Sequence, residues 1–364
     1  MWYRKKDLKY HQSIVSKNLH GFVLPHAGTE YTGAIISHTL RFKPQKQFTT
    51  VVIIYYPVSK KPNVFQKYYH EYYVPMKCLK HAILHFWNIK RNIKFQGVNV
   101  ATQTMPPTLD QASTLYIVSA DFSHYLSLQS AIELENKAAH SLLFRQFSNP
   151  TFMNVVDHPA SFKALYSSVP KSWNLQWIGR TRSPGEKGVG YLSFLLKSQP
   201  IIQQDKKPIH GIFVTAFDKH MNYRECQGSW FYEKPWSKQK ETNLITKVLK
   251  LATTTSRLTN GQYRDIPLSH YTITYLFLSK KKFIRGHHGI KYNSFYLPDI
   301  LLENTFTNGS WITPKDTEWK FGNFRMNETL QKLNTKSGFN DTSLHYQLYD
   351  TEVVHHKIGK NMDF

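Results

Sequence analysis

The chemically most distinctive stretch of the sequence is S-A-D-F-S-H-Y at residues 119–125, which directly follows an apolar run at residues 115–118. A carboxylate and an imidazole this close together can bind a metal ion or exchange protons. The apolar run has no polar alternation, which is typical of a strand in a sheet that is covered on both faces. Ligands of open α/β sheets bind at the carboxyl ends of the strands, so Asp121 and His124 are expected at the rim of a pocket. The structural alternative is that Asp121 caps the next helix and His124 is a surface or hydrogen-bonded core histidine.

A second histidine, His26, ends a short predicted strand in the segment G-F-V-L-P-H-A-G at residues 21–28. The glycine at position 28 permits a turn, and a helix is predicted from Thr29 to His38. Apolar runs predict further strands at residues 50–56 and 191–196. Helical spacing of apolar positions predicts one helix from Pro75, with Ile83 and Phe86 on its apolar face, and another at 131–147.

The polar segment at residues 197–208 is the clearest compositional break in the chain, and 364 residues exceed what one core usually organises. We therefore predict two domains. Residues 1–200 form an α/β sheet domain covered by helices, and residues 201–345 form an α+β domain with strands at 211–217 and 271–278, a helix at 241–254 and a short helix near 327–333. Residues 346–364 are predicted to be a frayed tail.

The formal net charge is +23 at pH 7, and the first hundred residues contain only three acidic residues, Asp7, Glu30 and Glu71. Such a charge favours polyanionic partners. A general lysine bias would give the same balance, and no nucleic-acid recognition motif accompanies it. Nucleic-acid binding is therefore an alternative and not the leading interpretation.

The two cysteines, Cys78 and Cys226, have no second thiol at ligand spacing. The sequence therefore encodes neither a disulfide framework nor a structural zinc site. The basic N-terminus is not followed by an apolar segment long enough for a signal peptide. No run reaches the roughly 18 apolar residues of a membrane span. These features predict a cytoplasmic protein without membrane association.

Three segments of the first half, L-P-H-A-G-T-E-Y-T-G at residues 24–33, S-A-D-F-S-H-Y at 119–125 and V-G-Y at 189–191, resemble three motifs of one family in order and approximate spacing. That family is Memo, the B component of the AmmeMemoRadiSam system, whose motifs read P-H-A-G-Y-x-Y-S-G, S-S-D-[LF]-S-H-Y and V-G-Y. The resemblance covers residues 20–196. It implies a fold similar to class III extradiol dioxygenases and a partner of the radical-SAM type.

The second half resembles the AMMECR family, which is fused to Memo-like proteins or encoded near them in many genomes. The matching segments are G-I-F-V-T at 211–215, Y-R-E-C-Q-G at 223–228, H-G-I at 288–290 and Y-L-P-D-I at 296–300. Arg224 and Cys226 of the family motif are kept, whereas Glu225 and Gln227 depart from it. Cys226 is a candidate reactive thiol if Arg224 lowers its pKa. The alternative is a buried structural cysteine.

The Memo resemblance implies a metal-binding set of two histidines and a cysteine, and the chain keeps only part of it. His26 matches the first histidine, Lys60 stands where the second would be, and Asp157, followed by His158, aligns with the cysteine. From the residues that remain we expect the following roles: metal ligands His26, His124 and Asp157, with His158 as the alternative to Asp157; catalytic residues Asp121, His124 and Asp157; and pocket residues Thr29, Tyr31, Lys60 and His158.

Two imidazoles with one or two carboxylates suit a non-haem iron(II) or zinc(II) site. The ammonium of Lys60 would oppose a dication and favour an anionic ligand, so a metal-free pocket for a small polar or anionic ligand is equally open. The leading hypothesis is a divergent Memo–AMMECR fusion protein with iron or zinc, acting by redox or hydrolytic chemistry on a small or nucleotide-like substrate. The alternatives are a catalytically inactive ligand-binding or adaptor protein that kept the scaffold, and a basic RNA-associated factor.

Overall fold

The computed structural model describes residues 5–56, 80–106, 109–184, 187–200, 202, 208–231, 235–254, 265–284, 286–292, 294–303, 330–331, 333–334 and 345–359. The chain divides into two compact units. The first comprises Met1–Ser198 and Leu302–Trp319, and the second comprises Gln199–Leu301 and Lys320–Phe364. Each unit contains a six-stranded sheet with helices, so the protein has a mixed α/β architecture.

The first unit is built on a mixed sheet. Its strands are β1 (Ile14–Ser16), β2 (Leu19–Leu24), β3 (Phe42–Pro44), β4 (Thr50–Tyr55), β5 (Lys94–Asn99), β6 (Thr114–Ser119), β7 (Trp173–Arg182) and β8 (Gly190–Ser198). Strands β1 and β3 pair with each other, and the other six form one sheet in the order β5-β4-β6-β2-β8-β7. The first four strands of this order run parallel to one another. Strand β8 is antiparallel to β2, and β7 is antiparallel to β8. The carboxyl ends of β2, β4 and β6 therefore lie at one edge of the sheet.

Helices cover both faces of this sheet. They are α1 (Thr29–Leu40), α2 (Leu128–Leu143), α3 (Pro150–Val155) and α4 (Pro159–Ser168), with a 3-10 turn at Lys5–Asp7 and a π-helical turn at Ala82–Phe86. On β7, Gly179 faces Ile35 of α1, whereas the next residue, Arg180, bonds to Glu135 of α2. Because successive strand residues point to opposite faces, α1 and α2 lie on opposite sides of the sheet.

Several predicted elements of the first unit are confirmed. All six residues of β6 are buried, as expected for a strand covered on both faces. The strands predicted near residues 21–26, 50–56 and 191–196 and the helices predicted at 29–38 and 131–147 are present, with ends that differ by a few residues. Ser127 begins α2 by accepting a hydrogen bond from the Ser130 N–H. Of the helix predicted from Pro75, residues 75–79 lie outside the described part, and residues 82–86 form the π-helical turn.

The second unit is antiparallel throughout its sheet. Its strands are β9 (Gly211–Asp218), β10 (Tyr223–Trp230), β11 (Leu268–Ser279), β12 (His288–Tyr292), β13 (Ser294–Tyr296) and β14 (Gln347–Lys357), in the order β10-β9-β11-β14-β12-β13. The helices are α5 (Lys238–Thr254) and α6 (Pro298–Glu303). One side of α5 packs on β9 and β10 through a core that includes Leu244, Val248 and Leu249. The strands predicted at 211–217 and 271–278 and the helix predicted at 241–254 are confirmed.

The prediction of a frayed tail at residues 346–364 is wrong for residues 347–357, which form β14. This strand pairs with β11 over ten consecutive residues, from Leu348 opposite Ser279 to Lys357 opposite His270. Tyr349 and Thr351 are buried. The β-branched residues of the segment favour a strand, and the prediction gave more weight to its histidines and lysines. Of the short helix predicted near 327–333, only 330–331 and 333 are described, and they are helical.

No helix within the described residues combines the length and apolarity that crossing a lipid bilayer requires.

Candidate metal centre

The carboxyl ends of β2 and β6 place His26 and Asp121 side by side. Leu24 of β2 is paired with Ser119 of β6. His26 and Asp121 each follow two residues later, so they lie at the same edge of the sheet. The His26 N–H donates a hydrogen bond of 2.9 Å to Asp121 Oδ1. Both residues are buried, with 7% of His26 and 4% of Asp121 exposed. The backbone of His26 and the carboxylate of Asp121 are therefore in direct contact at this edge of the sheet.

The turn between α3 and α4 adds Asp157 and His158. The Asp157 N–H donates to the carbonyl oxygen of Asp121 at 3.2 Å, which ties this turn to the end of β6. Asp157 Oδ2 lies 3.2 Å from His26 Nε2 and 3.2 Å from His158 Nε2. His26 Nε2 is also 3.6 Å from Asp121 Oδ2. One ligand atom from each of His26, Asp157 and His158 lies within 4.8 Å of the other two.

These separations suit a metal ion. Ligand atoms about 2.1 Å from a tetrahedral ion are roughly 3.4 Å apart, and Asp157 Oδ2 lies 3.2 Å from both His26 Nε2 and His158 Nε2. Asp157 Oδ1 is shielded from solvent and has no hydrogen-bond partner among the described residues. A buried carboxylate oxygen without a donor is rare unless a cation or an ordered water meets it. The cluster can therefore hold a divalent metal ion.

The orientation of His26 also favours metal binding. Its Nδ1 lies 3.2 Å from Ser119 Oγ, and the imidazole also bonds to the backbone of Ser119. Metal-binding histidines are held in this way, since the occupied nitrogen fixes the ring and leaves the other one for the ion. His26 Nε2 is the nitrogen that faces the two carboxylates. Sequence reasoning missed the role of Ser119, although its position at the end of β6 was available as a signal.

The same carboxylates change the acidity of the imidazole. Burial on its own would lower the pKa of His26, but the negative charges of Asp121 and Asp157 outweigh burial and raise the pKa to about 9. Burial, assisted by the nearby Asp157 carboxylate, raises the pKa of Asp121. Burial lowers the pKa of His158. Without a metal ion, His26 is therefore protonated at neutral pH and forms ion pairs with the carboxylates.

The rings of the cluster are stacked. His158 lies between Tyr56, with ring centroids 4.9 Å apart and planes at 21°, and His26, with centroids 5.7 Å apart and planes at 24°. The side chain of His158 is 15% exposed, more than that of His26 at 8%. Among the three proposed ligands, His158 is thus the most exposed, followed by Asp157 at 11%.

The structure does not bring His124 into the group of His26, Asp157 and His158. His124 is exposed, and its backbone forms an isolated antiparallel bridge with Val189. The next residue, Tyr125, has a φ of 56° and is 70% exposed. The charge of His124 still acts on Asp121 and His158. His158, predicted as part of the pocket wall, thus takes the place expected of His124 as the second imidazole.

The other predicted pocket residues have different surroundings. Thr29 is buried at the start of α1, and its hydroxyl donates to Asp7 Oδ2 at 3.0 Å. Tyr31 is 42% exposed, and its phenol lies close enough to Tyr191 to contribute to the raised pKa of that residue. Lys60 lies outside the described residues, so the predicted competition between its ammonium and a metal ion is not addressed by this structure.

The predicted thiol site in the second unit has a different arrangement from the one expected. Arg224 is fully buried, and its guanidinium donates to the carbonyl oxygens of Ile266 at 2.7 Å and Ala252 at 3.1 Å. Cys226 is half-buried and accepts a hydrogen bond from the Thr215 hydroxyl at 3.2 Å. Arg224 therefore connects backbone segments, and Cys226 is neither fully buried nor fully exposed.

A second histidine–aspartate group occurs in the second unit, where His287, His288 and Asp350 have ligand atoms within 4.8 Å of one another. The Ile284 N–H donates to His288 Nδ1 at 2.9 Å. A neutral imidazole whose Nδ1 accepts a hydrogen bond carries its proton on Nε2. That Nε2 lies 3.2 Å from Asp350 Oδ1 and donates to it. Because a metal ligand needs a free lone pair on Nε2, this group is a hydrogen-bond network and not a metal site.

No protein-family model matches the sequence, and a search of curated proteins found no significant match. The candidate site therefore depends on the geometry of His26, Asp121, Asp157 and His158, and the Memo and AMMECR resemblance stays a prediction.

Proposed function

We propose that the first unit is a metal-dependent enzyme that binds one divalent ion through His26, Asp157 and His158. The observation that carries the proposal is the convergence of the three ligand atoms within 4.8 Å around a carboxylate whose second oxygen has no described donor. The motif resemblance to the Memo family supports the same position. The substrate is a small polar molecule that enters from the side of His158 and Tyr56.

The metal is iron(II) or zinc(II). Two imidazoles and one carboxylate on one side of an ion form the ligand set of non-haem iron(II) oxygenases, which leaves positions for substrate and O₂. Zinc(II) accepts the same ligands and makes a bound water acidic enough to act as a nucleophile near neutral pH. Iron implies oxidoreductase chemistry and zinc implies hydrolysis, so the identity of the ion decides the reaction class.

Asp121 has the properties of a general base beside this site. Its Oδ1 is held by the His26 N–H, which directs Oδ2 toward the space in front of His26 Nε2. Its pKa is raised because the carboxyl is buried near Asp157, and a carboxylate with a raised pKa accepts a proton more readily. Asp121 would take the proton of a substrate hydroxyl or of a water molecule at the site.

Metal analysis of the full-length chain, purified without a histidine tag, tests the proposal. We expect about one equivalent of iron or zinc in the wild type after reconstitution under anaerobic conditions. We expect less than about a tenth of that amount in His26→Ala and His158→Ala, since each variant removes one of three protein ligands. His220→Ala removes an exposed histidine of the second unit and serves as the matched control. Equal, near-zero metal in all four proteins would reject the metal enzyme.

A metal-free pocket is the second candidate, and the ion pairs of His26 favour it. A protonated His26 between Asp121 and Asp157 already compensates the buried carboxylates without any metal. In this case the first unit binds a small polar ligand and has no metal-dependent activity, as an inactive ligand-binding or adaptor protein would. The metal analysis separates the two candidates, because only the first predicts a difference between the wild type and His26→Ala.

A further inference from the structure

A buried hydrogen-bond network lies behind the turn that carries Asp121. The hydroxyl of Ser123 donates to Glu135 Oε1 of α2. The other oxygen, Glu135 Oε2, accepts from Arg180 of β7, from Nε at 2.9 Å and from Nη2 at 2.6 Å. The side chains of Arg180 and Glu135 are 2% and 3% exposed. The network therefore connects the turn after β6, helix α2 and strand β7 through one carboxylate.

Stability alone does not account for this ion pair. Transferring two charges out of water costs several kcal/mol per ion, and apolar residues of similar volume often serve a fold equally well. The geometry here is unusually constrained. Arg180 Nη1 also donates to Asn136 Oδ1 at 2.7 Å, and the guanidinium lies 5.9 Å from the centre of the Trp177 ring. Glu135 is thus held in one place and presents Oε1 to Ser123.

Gly190 lies against the contact between Ser123 and Glu135 and has no room for a side chain. A Cβ atom at position 190 would lie 1.8 Å from Glu135 Oε1 and 2.7 Å from Ser123 Oγ. The Gly190 N–H donates to the Ser123 carbonyl at 2.7 Å, and the Phe122 N–H donates to the Gly190 carbonyl at 2.9 Å. Only glycine leaves room for the carboxylate, the hydroxyl and both backbone bonds. The turn is therefore held by its backbone and by its serine side chain.

We infer that Ser123, Glu135 and Arg180 form a positioning network for Asp121. The bonds given above for these three residues run to the turn, to α2 and to β7, and not to His26, Asp157 or His158, so we infer that they act through the turn and not on the substrate. By fixing the chain two residues beyond Asp121, they hold the Asp121 carboxylate against the His26 N–H. An effect of this network on metal affinity rests on the proposed function. Its effect on the position of the Asp121 carboxylate does not depend on a metal ion.

Two readouts test the inference in the full-length chain. The first is the zinc dissociation constant, which we expect to rise tenfold or more in Ser123→Ala, because Asp121 holds the backbones of the two ligands His26 and Asp157 and residues behind metal ligands typically contribute 10- to 100-fold. The second needs no metal: the His26 N–H donates to Asp121 Oδ1, so its hydrogen exchange reports the position of that carboxylate. We expect this amide to exchange at least about tenfold faster in Ser123→Ala, while the Val23 amide of β2 is unchanged.

Ser167→Ala is the matched control because it removes an exposed serine hydroxyl on α4 that donates to the Ala164 carbonyl of the same helix. Ser123→Thr keeps the hydroxyl and should restore both readouts, which a purely structural loss would not predict. Ser123→Cys replaces the alanine variant if that protein does not fold. Wild-type zinc affinity together with wild-type His26 exchange in Ser123→Ala would overturn the inference. If the wild type binds no zinc, the proposed function fails, and the exchange of the His26 amide alone decides on the positioning network.

Discussion

Removing one charge of the buried Arg180–Glu135 pair should destabilise the first unit far more than removing both. Glu135→Gln removes the carboxylate that pairs with a guanidinium of which only 2% is exposed, which costs about 3–5 kcal/mol. Arg180→Met removes the guanidinium that donates two hydrogen bonds to the Glu135 carboxylate, and the expected loss is again about 3–5 kcal/mol. The double variant removes both charges of the pair, and its glutamine still accepts a hydrogen bond from Ser123. It should lie within about 2 kcal/mol of the wild type.

The test is a double-mutant cycle measured by native-state hydrogen exchange of the β7 and β8 amides, which reports the first unit separately from the second. Additive losses would give the double variant a deficit of about 6–10 kcal/mol, which is comparable to the whole stability of a typical domain. The control is Glu133→Gln, which breaks the exposed pair between Glu133 and Lys137 on the same helix and should change stability by less than about 1 kcal/mol. Single-variant losses of that small size, or an additive double variant, would refute the reasoning.

Three further predictions concern pH and the second unit. Metal binding must displace the proton of His26, whose pKa is about 9 in the metal-free protein, so the apparent zinc affinity should rise about tenfold per pH unit from pH 7 to 9. Calorimetry in two buffers should show that about one proton is released for each zinc ion bound. Zinc binding without proton release would contradict the site. Burial, assisted by Lys357, lowers the pKa of His270 to about 4, so between this pH and about 6.5 the unfolded chain binds a proton that the folded chain does not. The second unit should therefore lose stability as the pH falls from about 6.5 to 4. Denaturation at several pH values should show a smaller loss in His270→Gln. His288→Gln should leave the metal content unchanged and weaken exchange protection in β11 and β14 by about 1–3 kcal/mol, whereas loss of metal would show that the second group is a metal site.

The elements that carry the candidate site could be predicted because each has a local signal. The apolar run before Asp121 marks a covered strand, and the residues around His26 combine a strand end, a glycine and a helix start. The carboxyl ends of neighbouring parallel strands meet at one edge, so the proximity of these two residues follows from local patterns. The structure also confirms the mixed α/β architecture. Membership of the Memo and AMMECR families is still a prediction.

The rest of the site depends on contacts between distant parts of the chain. Asp157 joins the cluster because its N–H bonds to the carbonyl of Asp121, and nothing in the local sequence encodes that bond. Arg180 and Glu135 are 45 residues apart, and each looks like an ordinary exposed charge when it is considered alone. His124 was chosen over His158 from its place in the motif. In the structure, His124 is exposed and its backbone forms a bridge with Val189. This bridge is a contact between distant parts of the chain, and the local sequence does not indicate it.

Residue types alone would not have separated the two histidine–aspartate groups, because both contain two imidazoles and a carboxylate within 4.8 Å. The separation comes from the backbone groups that meet each ring. His26 is held by Ser119 on its Nδ1 side, so Nε2 faces the carboxylates and is free to bind an ion once it loses its proton. His288 accepts the Ile284 N–H at Nδ1, so its Nε2 carries a proton that Asp350 accepts. Since the free lone pair and not the residue count decides whether an imidazole can bind a metal, only the first group is a candidate centre.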